Sequence, residues 1–474
     1  MPGERHLPNI DPIIDHRPQR VWFALIAIAM VAGFALRLSA AQGALWLDEA
    51  WSASFARDVR TIPGIFWQIN HDNNHHLNTL WLQWVGFDAH PAWQRMLSIL
   101  SGTAAIGVAG AIGWRRSAAT GAIAAALFAL SPVMVTYGSE ARGYAPMMLA
   151  LLVAILLVDR WLDSPDRATS PRAIAITVAL GCLAQLTMIF GLAAILGWAA
   201  LREWQRIGLK PAIVSVTRLL GPALIAAAVV VAINFAPMLA GRRYEIGHYT
   251  PYDLHALIAG LEILSDSLFA LSIGIWGLAA LVVLAAMLPW MRSRRELYVL
   301  ALAAFPLAVA LLQIGNSGNP RYFLTVAVVA LLLVGDVLGG MWPRRGALRW
   351  TAIALIAVVA AASLRADIEL IRNQRGDVAR AIEEAERIRP TGTTMRVESP
   401  RAGAVLKAAA AHRGYRIDLL KQDCPPAALV FIDRDGNAPF PASVVQCGIP
   451  YRVAAEGRTT GLSGNHWRLY AAMR

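Results

Sequence analysis

The chain has 474 residues, of which 57% are hydrophobic and 16% charged, and its mean hydropathy is +0.49. A soluble globular chain carries about 25% charged residues. Here the apolar residues fall in runs near the ~20 needed to cross ~30 Å of hydrocarbon, which excludes a water-soluble protein and implies a polytopic membrane protein. The net charge of +12 does not call for nucleic acid. Arginines at the cytoplasmic ends of spans supply such an excess, and no basic patch interleaved with aromatics occurs.

The polar N-terminal stretch 1–20, with Arg17 and Arg20, reads as a cytoplasmic tail before an uncleaved first span at 21–40. An external segment, 41–90, follows; within it the apolar piece 76–88 is too short to cross and reads as interfacial. Further spans are expected at 92–113, 118–136, 144–161, 173–188, 190–204, 212–236, 266–290, 297–314, 321–341 and 348–364. That makes about eleven in all. The clusters Arg115-Arg116, Arg292 to Arg295 and Arg344-Arg345 then all fall inside, as the positive-inside bias requires. Arg242-Arg243 falls outside, which is either scatter in a statistical rule or an anion-binding pair.

From Arg365 the composition turns polar and mixed. "GDVARAIEEAERIRP" has helical periodicity, whereas "AALVFID" and "HWRLYAAM" read as strands. Residues 365–474 are therefore expected to form a small external α/β domain after a membrane module at 21–364. Of the three cysteines, Cys182 lies in an apolar run. Cys424 and Cys447 either form a disulfide worth ~3 kcal/mol in the chain-entropy model or remain as two free thiols.

Polar residues gather at the outer ends of the spans. They are Asp48 and Glu49; His71, Asp72, His75 and His76; Glu140, Arg142 and Tyr144; Arg242, Arg243, Tyr244, Glu245 and His248; and Arg321 with Tyr322. Polar groups at membrane depth are costly and usually serve a site or one another, so their convergence on one face implies an outward-facing polar cavity. An ionised carboxylate can take a proton from an attacking hydroxyl, and guanidinium groups form paired, charge-assisted bonds to phosphate. A carboxylate with arginines at a membrane surface fits sugar transfer from a lipid phosphate.

Each residue also has a plainer reading. Asp48 and Glu49 open a juxtamembrane helix, where the dipole favours acids. Glu140 and Arg142 could be a structural ion pair, the histidines satisfied structural groups, and Tyr144 and Tyr322 helix-end anchors. Most of the 16 tryptophans suit interfacial anchoring.

The layout resembles the GT-C glycosyltransferases, specifically the bacterial protein-mannosyltransferase-like group that includes the lipid A aminoarabinose and galacturonosyl transferases. The resemblance rests on "WLDEAW", "NHHLNTLW", "YGSEARGYA" and "NPRYF" in that order, covering residues 20–340. The family's "HPPL" prolines are replaced here by His76-Leu77-Asn78. This resemblance implies a GT-C fold and an inverting transfer of a sugar from a polyprenyl monophosphate to a glycan, lipid A, other lipid or protein acceptor. The enzyme would sit in a bacterial inner membrane with its site facing the periplasm, and a monomer is expected. Asp48 would be the general base, with Glu49 orienting acceptor or sugar. Arg142 and Arg321 would bind the donor phosphate with Glu140 and Tyr144, and with Arg242 and Arg243 as further candidates. His71, His75 and His76 are substrate or metal candidates. No cofactor is required, and a divalent cation remains an open alternative. A lipid or glycan transporter is the competing reading, although transporters more often place ionisable groups at mid-span.

Overall fold

The computed structural model describes residues 19–164, 169–247, 249–288, 293–422, 424–434 and 438–473. Arg17, His248 and Arg292, the tail up to residue 18, and part of the loop after Asp163 lie outside the described residues.

The first helix, α1 (Gln19–Ser39), delivers the chain to one end of the helical bundle. There α2 (Leu47–Asp58), α3 (Ile62–Trp67), α4 (His76–Val85) and α5 (Pro91–Gln94) form a juxtamembrane layer. The apolar piece read as interfacial is α4, too short to span. The chain re-enters through α6 (Met96–Trp114) and returns through α7 (Ala118–Leu130) and α8 (Pro132–Tyr137). The single span expected at 118–136 is thus broken at Ser131-Pro132. Pro132 has no N–H to complete the helix bond, and the Phe128 carbonyl left without that donor accepts from Arg37 at 3.0 Å.

Next come α9 (Tyr144–Asp163), α10 (Pro171–Ala184), α11 (Met188–Ile207) and α12 (Leu209–Leu239). After the 240–253 loop, α13 (Leu254–Phe269) and α14 (Gly274–Met287) meet at 74°. The straight helix expected from residue 266 is therefore a bent pair. Asp266 explains the break, because its Oδ1 accepts the N–H groups of Ile273 (2.8 Å) and Gly274 (2.6 Å). The chain continues as α15 (Arg295–Val299), a π turn at Leu300–Ala304, and α16 (Phe305–Leu311). A 3-10 turn, Pro320–Phe323, then opens α17 (Leu324–Met341), buried along most of its length at the centre of the core, and α18 (Ala347–Asn373) follows.

The protein is a multi-pass membrane protein. Each apolar segment expected to span coincides with helix. Among the described residues six helices are long and apolar enough to cross, or seven if α13 and α14 make one span. At the inner ends of the spans Arg294 donates to Asp159 (2.8 and 3.0 Å) and to Asp336 (3.2 and 3.3 Å). Arg115 also donates to Asp159 at 2.6 Å. These pairs tie α6, α9 and α17 together away from the outer site.

Beyond α18, α19 (Ala379–Ile388) and α20 (Pro400–Arg413) lie with six strands. These are β1 (Thr393–Val397), β2 (Ile417–Leu420), β3 (Leu429–Arg434), β4 (Ser443–Gln446), β5 (Ile449–Gly457) and β6 (His466–Ala472). Their order is β2-β1-β3-β6-β5-β4; β1 runs parallel to β2 and β3, and the remaining pairs are antiparallel. Helix α20 is the crossover between β1 and β2, as parallel pairing requires. The stretches read as helix and strands at the sequence level are α19, β3 and β6. Cys424 and Cys447 are disulfide-bonded.

One sheet face shares a core with α19, α20 and α2. In it Ala50, Ala53 and Ala56 of α2 pack with Ala402, Val405 and Leu406 of α20. The sheet layer is thereby seated on the helix that carries Asp48.

Helices α6 and α7 approach through paired glycines. A Cβ on Gly113 would lie 2.7 Å from the Thr120 carbonyl oxygen, and one on Gly121 would lie 2.9 Å from that of Gly110. Gly121→Val should therefore force the pair apart, at the ~1–3 kcal/mol typical of overpacking. A lowered thermal midpoint in detergent is the check.

Candidate active site

The site begins with the helix start at Trp46. Glu49, in the first turn of α2, accepts the Trp46 N–H at 3.0 Å. It also accepts the Ala141 N–H at 2.6 Å and two bonds from Arg95, at 2.8 and 2.6 Å. Arg95 in turn donates to the carbonyls of Ala41 (2.9 Å), Gly43 (2.6 Å) and Ala44 (3.0 Å). Both side chains are fully buried. Burial alone would raise the Glu49 pKa, but Arg95 outweighs it and holds the carboxylate below its usual range. With four donors on its two oxygens, Glu49 has no free face for acceptor or sugar. The role expected for it gives way to that of a staple between α2, the 40–46 turn and the 138–143 loop.

Its neighbour faces elsewhere. The Asp48 carboxylate, about one-fifth exposed, receives Arg142 and Arg321 on the same oxygen, Oδ2. Burial pushes its pKa up, and the two guanidinium groups more than offset that, so the group is held ionised below the usual carboxylate range. Asn73 fixes the backbone beneath it by donating to the Asp48 carbonyl (2.9 Å) and to the Ser52 hydroxyl (3.1 Å).

Arg142 is buried, and one of its terminal nitrogens is held by two neighbours. It donates to His75 Nε2 (2.9 Å) and to the Tyr144 hydroxyl (3.2 Å), and lies 5.1 Å from the Tyr144 ring centre. His75 Nδ1 is 3.2 Å from the Ala184 carbonyl. Burial, with Arg142 alongside, drives the His75 pKa well below its ordinary value. The imidazole is therefore neutral, with Nδ1–H donating to Ala184 and Nε2 accepting from Arg142. Gly143 makes this possible, because any Cβ there would overlap the Ala184 carbonyl oxygen.

Several expected members lie apart from this centre. Glu140 does not hold Arg142; its buried carboxylate faces Arg375 at 3.7 Å. His76 stacks on Phe66 with ring centres 4.6 Å apart, and burial takes its pKa to about 4. His71 sits 2.8 Å from Asp72 and packs against Phe55 and Trp51. Arg242 donates to the Trp67 carbonyl at 3.0 Å, and the Arg243 carbonyl accepts from Asn70 at 2.6 Å; both are exposed on the rim.

Of the histidines named as metal candidates, His75 Nε2 is turned to a guanidinium and His76 is stacked on Phe66. Among the described residues no group of three or more His, Cys, Asp or Glu side chains is placed to hold a metal ion.

A cavity of about 230 Å³ is lined by Asp72, Tyr244, Asn316, Ser317 and Tyr322, the last of these next in sequence to Arg321, and by apolar residues that include Phe190, Phe305 and Phe323. Arg95, Arg375 and the two phenylalanines Phe190 and Phe305 were not legible as site residues. The signal for Arg95 was its place at the outer end of a span; Arg375 carried none.

No protein-family model matches the chain, and no curated protein matches its sequence. Solved structures do match. ArnT from Cupriavidus metallidurans in the apo state aligns over 95% of this chain and 98% of that one, with 13% identity and a TM-score of 0.51. The same protein bound to undecaprenyl phosphate aligns over 96% and 98%, again with 13% identity and a TM-score of 0.51. The fold is that of a GT-C glycosyltransferase. In this chain the acidic pair after the first helix is divided, Asp48 partly exposed and Glu49 locked beneath.

That division has a measurable consequence. Glu49→Gln leaves Arg95 buried without its counter-charge, which typically costs ~3–5 kcal/mol, whereas Asp48→Asn alters a partly exposed group. The thermal midpoint in detergent should fall much further for Glu49→Gln than for Asp48→Asn.

Proposed function

We propose that the protein is an inverting membrane glycosyltransferase that moves a sugar from a polyprenyl-phosphate donor to a hydroxyl of an envelope acceptor. The observation that carries this reading is the convergence of Arg142 and Arg321 on one Asp48 oxygen. Two cations against one carboxylate leave one positive charge unmatched, which suits a phosphate. The apolar end of the neighbouring cavity, at Phe190, Phe305 and Phe323, suits the first prenyl units. The structure of ArnT with undecaprenyl phosphate supports the same class of lipid for this chain.

In this mechanism Asp48 takes the proton of the acceptor hydroxyl as its oxygen attacks the anomeric carbon. The bond from that carbon to the phosphate oxygen breaks, and polyprenyl phosphate leaves with the electron pair. Arg142 and Arg321 stabilise the charge that gathers on the departing phosphate. His75 and Tyr144 hold Arg142 in place. The same arginines that depress the Asp48 pKa in the free protein are shared with the phosphate once the donor binds. The donor's charge offsets their pull, so Asp48 becomes a stronger base when it is needed.

We read residues 21–364 as the membrane module, with about eleven crossings, and 365–474 as an outward-facing C-terminal domain. In a bacterial inner membrane the site would open to the periplasm.

Purified protein should transfer sugar from a polyprenyl-phosphate donor, and Asp48→Asn should lower kcat by the ~10²–10⁴ typical of a lost general base. Full transfer by Asp48→Asn would overturn the assignment. The pH profile adds a signed test. Because the group is held ionised in the free protein, the acid limb of kcat/KM should lie below that of kcat. Arg321→Gln removes one of the depressing charges and should move the kcat/KM limb to higher pH.

A further inference from the structure

Arg375 lies in the connection between α18 and the sheet layer, and the mechanism above does not use it. Its backbone stands in the left-handed region, with φ +58°, in a run where Gln374 (+46°), Gly376 (+85°) and Asp377 (+25°) also have positive φ. For non-glycine residues such conformations are uncommon and persist only where their surroundings enforce them. What enforces them here is a set of bonds to the catalytic layer. Gln374 Oε1 accepts the Gly43 N–H at 2.7 Å, and Asp377 Oδ1 accepts that of Ala44 at 3.0 Å. From the neighbouring hairpin, Asn465 Oδ1 accepts the Leu47 N–H at 3.0 Å.

The Arg375 side chain, 1% exposed, completes the set. One terminal nitrogen donates to the Ala40 carbonyl at 2.7 Å, just ahead of the turn that leads to Asp48. The other donates to the Thr136 carbonyl (2.9 Å) and the Ser139 hydroxyl (2.7 Å), at the entry to the loop that carries Arg142. Its Nε meets the Ser463 hydroxyl at 3.3 Å. One planar group thus spans the two segments whose separation sets the distance between Asp48 and Arg142.

We propose that Arg375 is a positioning residue, through which the C-terminal domain fixes the Asp48 and Arg142 segments relative to each other. This rests on the glycosyltransferase reading. Glu140 provides an independent reporter, because it is the buried carboxylate facing this guanidinium. Burial raises its pKa to about 7, with Glu49 adding to the rise and Arg375, Ser463 and Arg142 opposing it; Tyr137 also senses its charge. Without Arg375 the Glu140 carboxylate would have lost its nearest counter-charge, and ionising it as pH rises would disturb the loop before Arg142.

The test uses the full-length protein in nanodiscs with a polyprenyl-phosphate sugar donor, comparing Arg375→Gln, Arg375→Lys, Glu140→Gln and the double variant R375Q/E140Q. Misplacing reacting groups by about 1 Å can cost ~10²-fold, so R375Q should lower kcat by tens of fold and raise the donor KM by less. Losing Arg375 raises the Glu140 pKa further, so R375Q activity should also fall with rising pH above neutrality, and R375Q/E140Q should lack that decline. Lysine keeps the charge without the fork, so R375K should show low kcat and no added pH decline; it also carries the test should R375Q not fold. Inactivity of the unmodified protein would overturn the glycosyltransferase reading. An active unmodified protein with kcat within twofold in both R375Q and R375K, or a pH decline that persists in the double variant, would overturn the Arg375 assignment alone.

Discussion

One carboxylate oxygen, Oδ2 of Asp48, receives guanidinium groups from two distant parts of the chain, and the outer half of the molecule is arranged around that contact. Buried charges must be paired to be tolerated, yet two arginines sharing one carboxylate are an incomplete pairing. The structure holds this arrangement in place through contacts on the far side of Arg142. Arg142 is occupied by His75 and Tyr144 on its far side. His75 is fixed as the neutral tautomer by Ala184. One positive charge of the two arginines is therefore left unmatched by Asp48.

Beneath it lies a second layer of buried, oppositely charged pairs. Glu49 with Arg95, and Glu140 with Arg375, join the 40–46 turn, the 138–143 loop and the C-terminal connection. Removing one member of such a pair costs more than the pair contributes. This layer accordingly works as a rigid bed beneath the incompletely matched one. The sheet domain belongs to the bed, through the apolar packing of α20 on α2 and through Arg375.

Much of this was legible in the chain. Run length located the apolar helices, and the gathering of Asp48, Arg142 and Arg321 at outer ends anticipated their meeting. Hydropathy could not register the bend between α13 and α14, because the turn's N–H groups are met by Asp266 from within an apolar stretch. Adjacent residues were harder. Neighbours on a helix point about 100° apart, so Asp48 and Glu49 were bound to face different partners, but only the fold says which faces Arg95. His75 and His76 separate for the same reason, one turned to Arg142 and the other to Phe66. Glu140 looked like a partner for Arg142, two residues on; its actual partner, Arg375, is distant in sequence and stands in a segment with no chemical motif of its own.

The most direct measurement is the affinity of the purified protein for polyprenyl phosphate, by calorimetry or native mass spectrometry, set beside transfer activity. Asp48→Asn removes the carboxylate that competes for the arginines and should bind the lipid phosphate at least as tightly while transferring sugar far more slowly. Replacing both Arg142 and Arg321 by Gln should weaken binding by tenfold or more, in keeping with the ~1.5–3 kcal/mol of a charge-assisted bond. Weakened binding by Asp48→Asn, or unchanged binding by the double arginine variant, would contradict a phosphate site built on these two guanidinium groups.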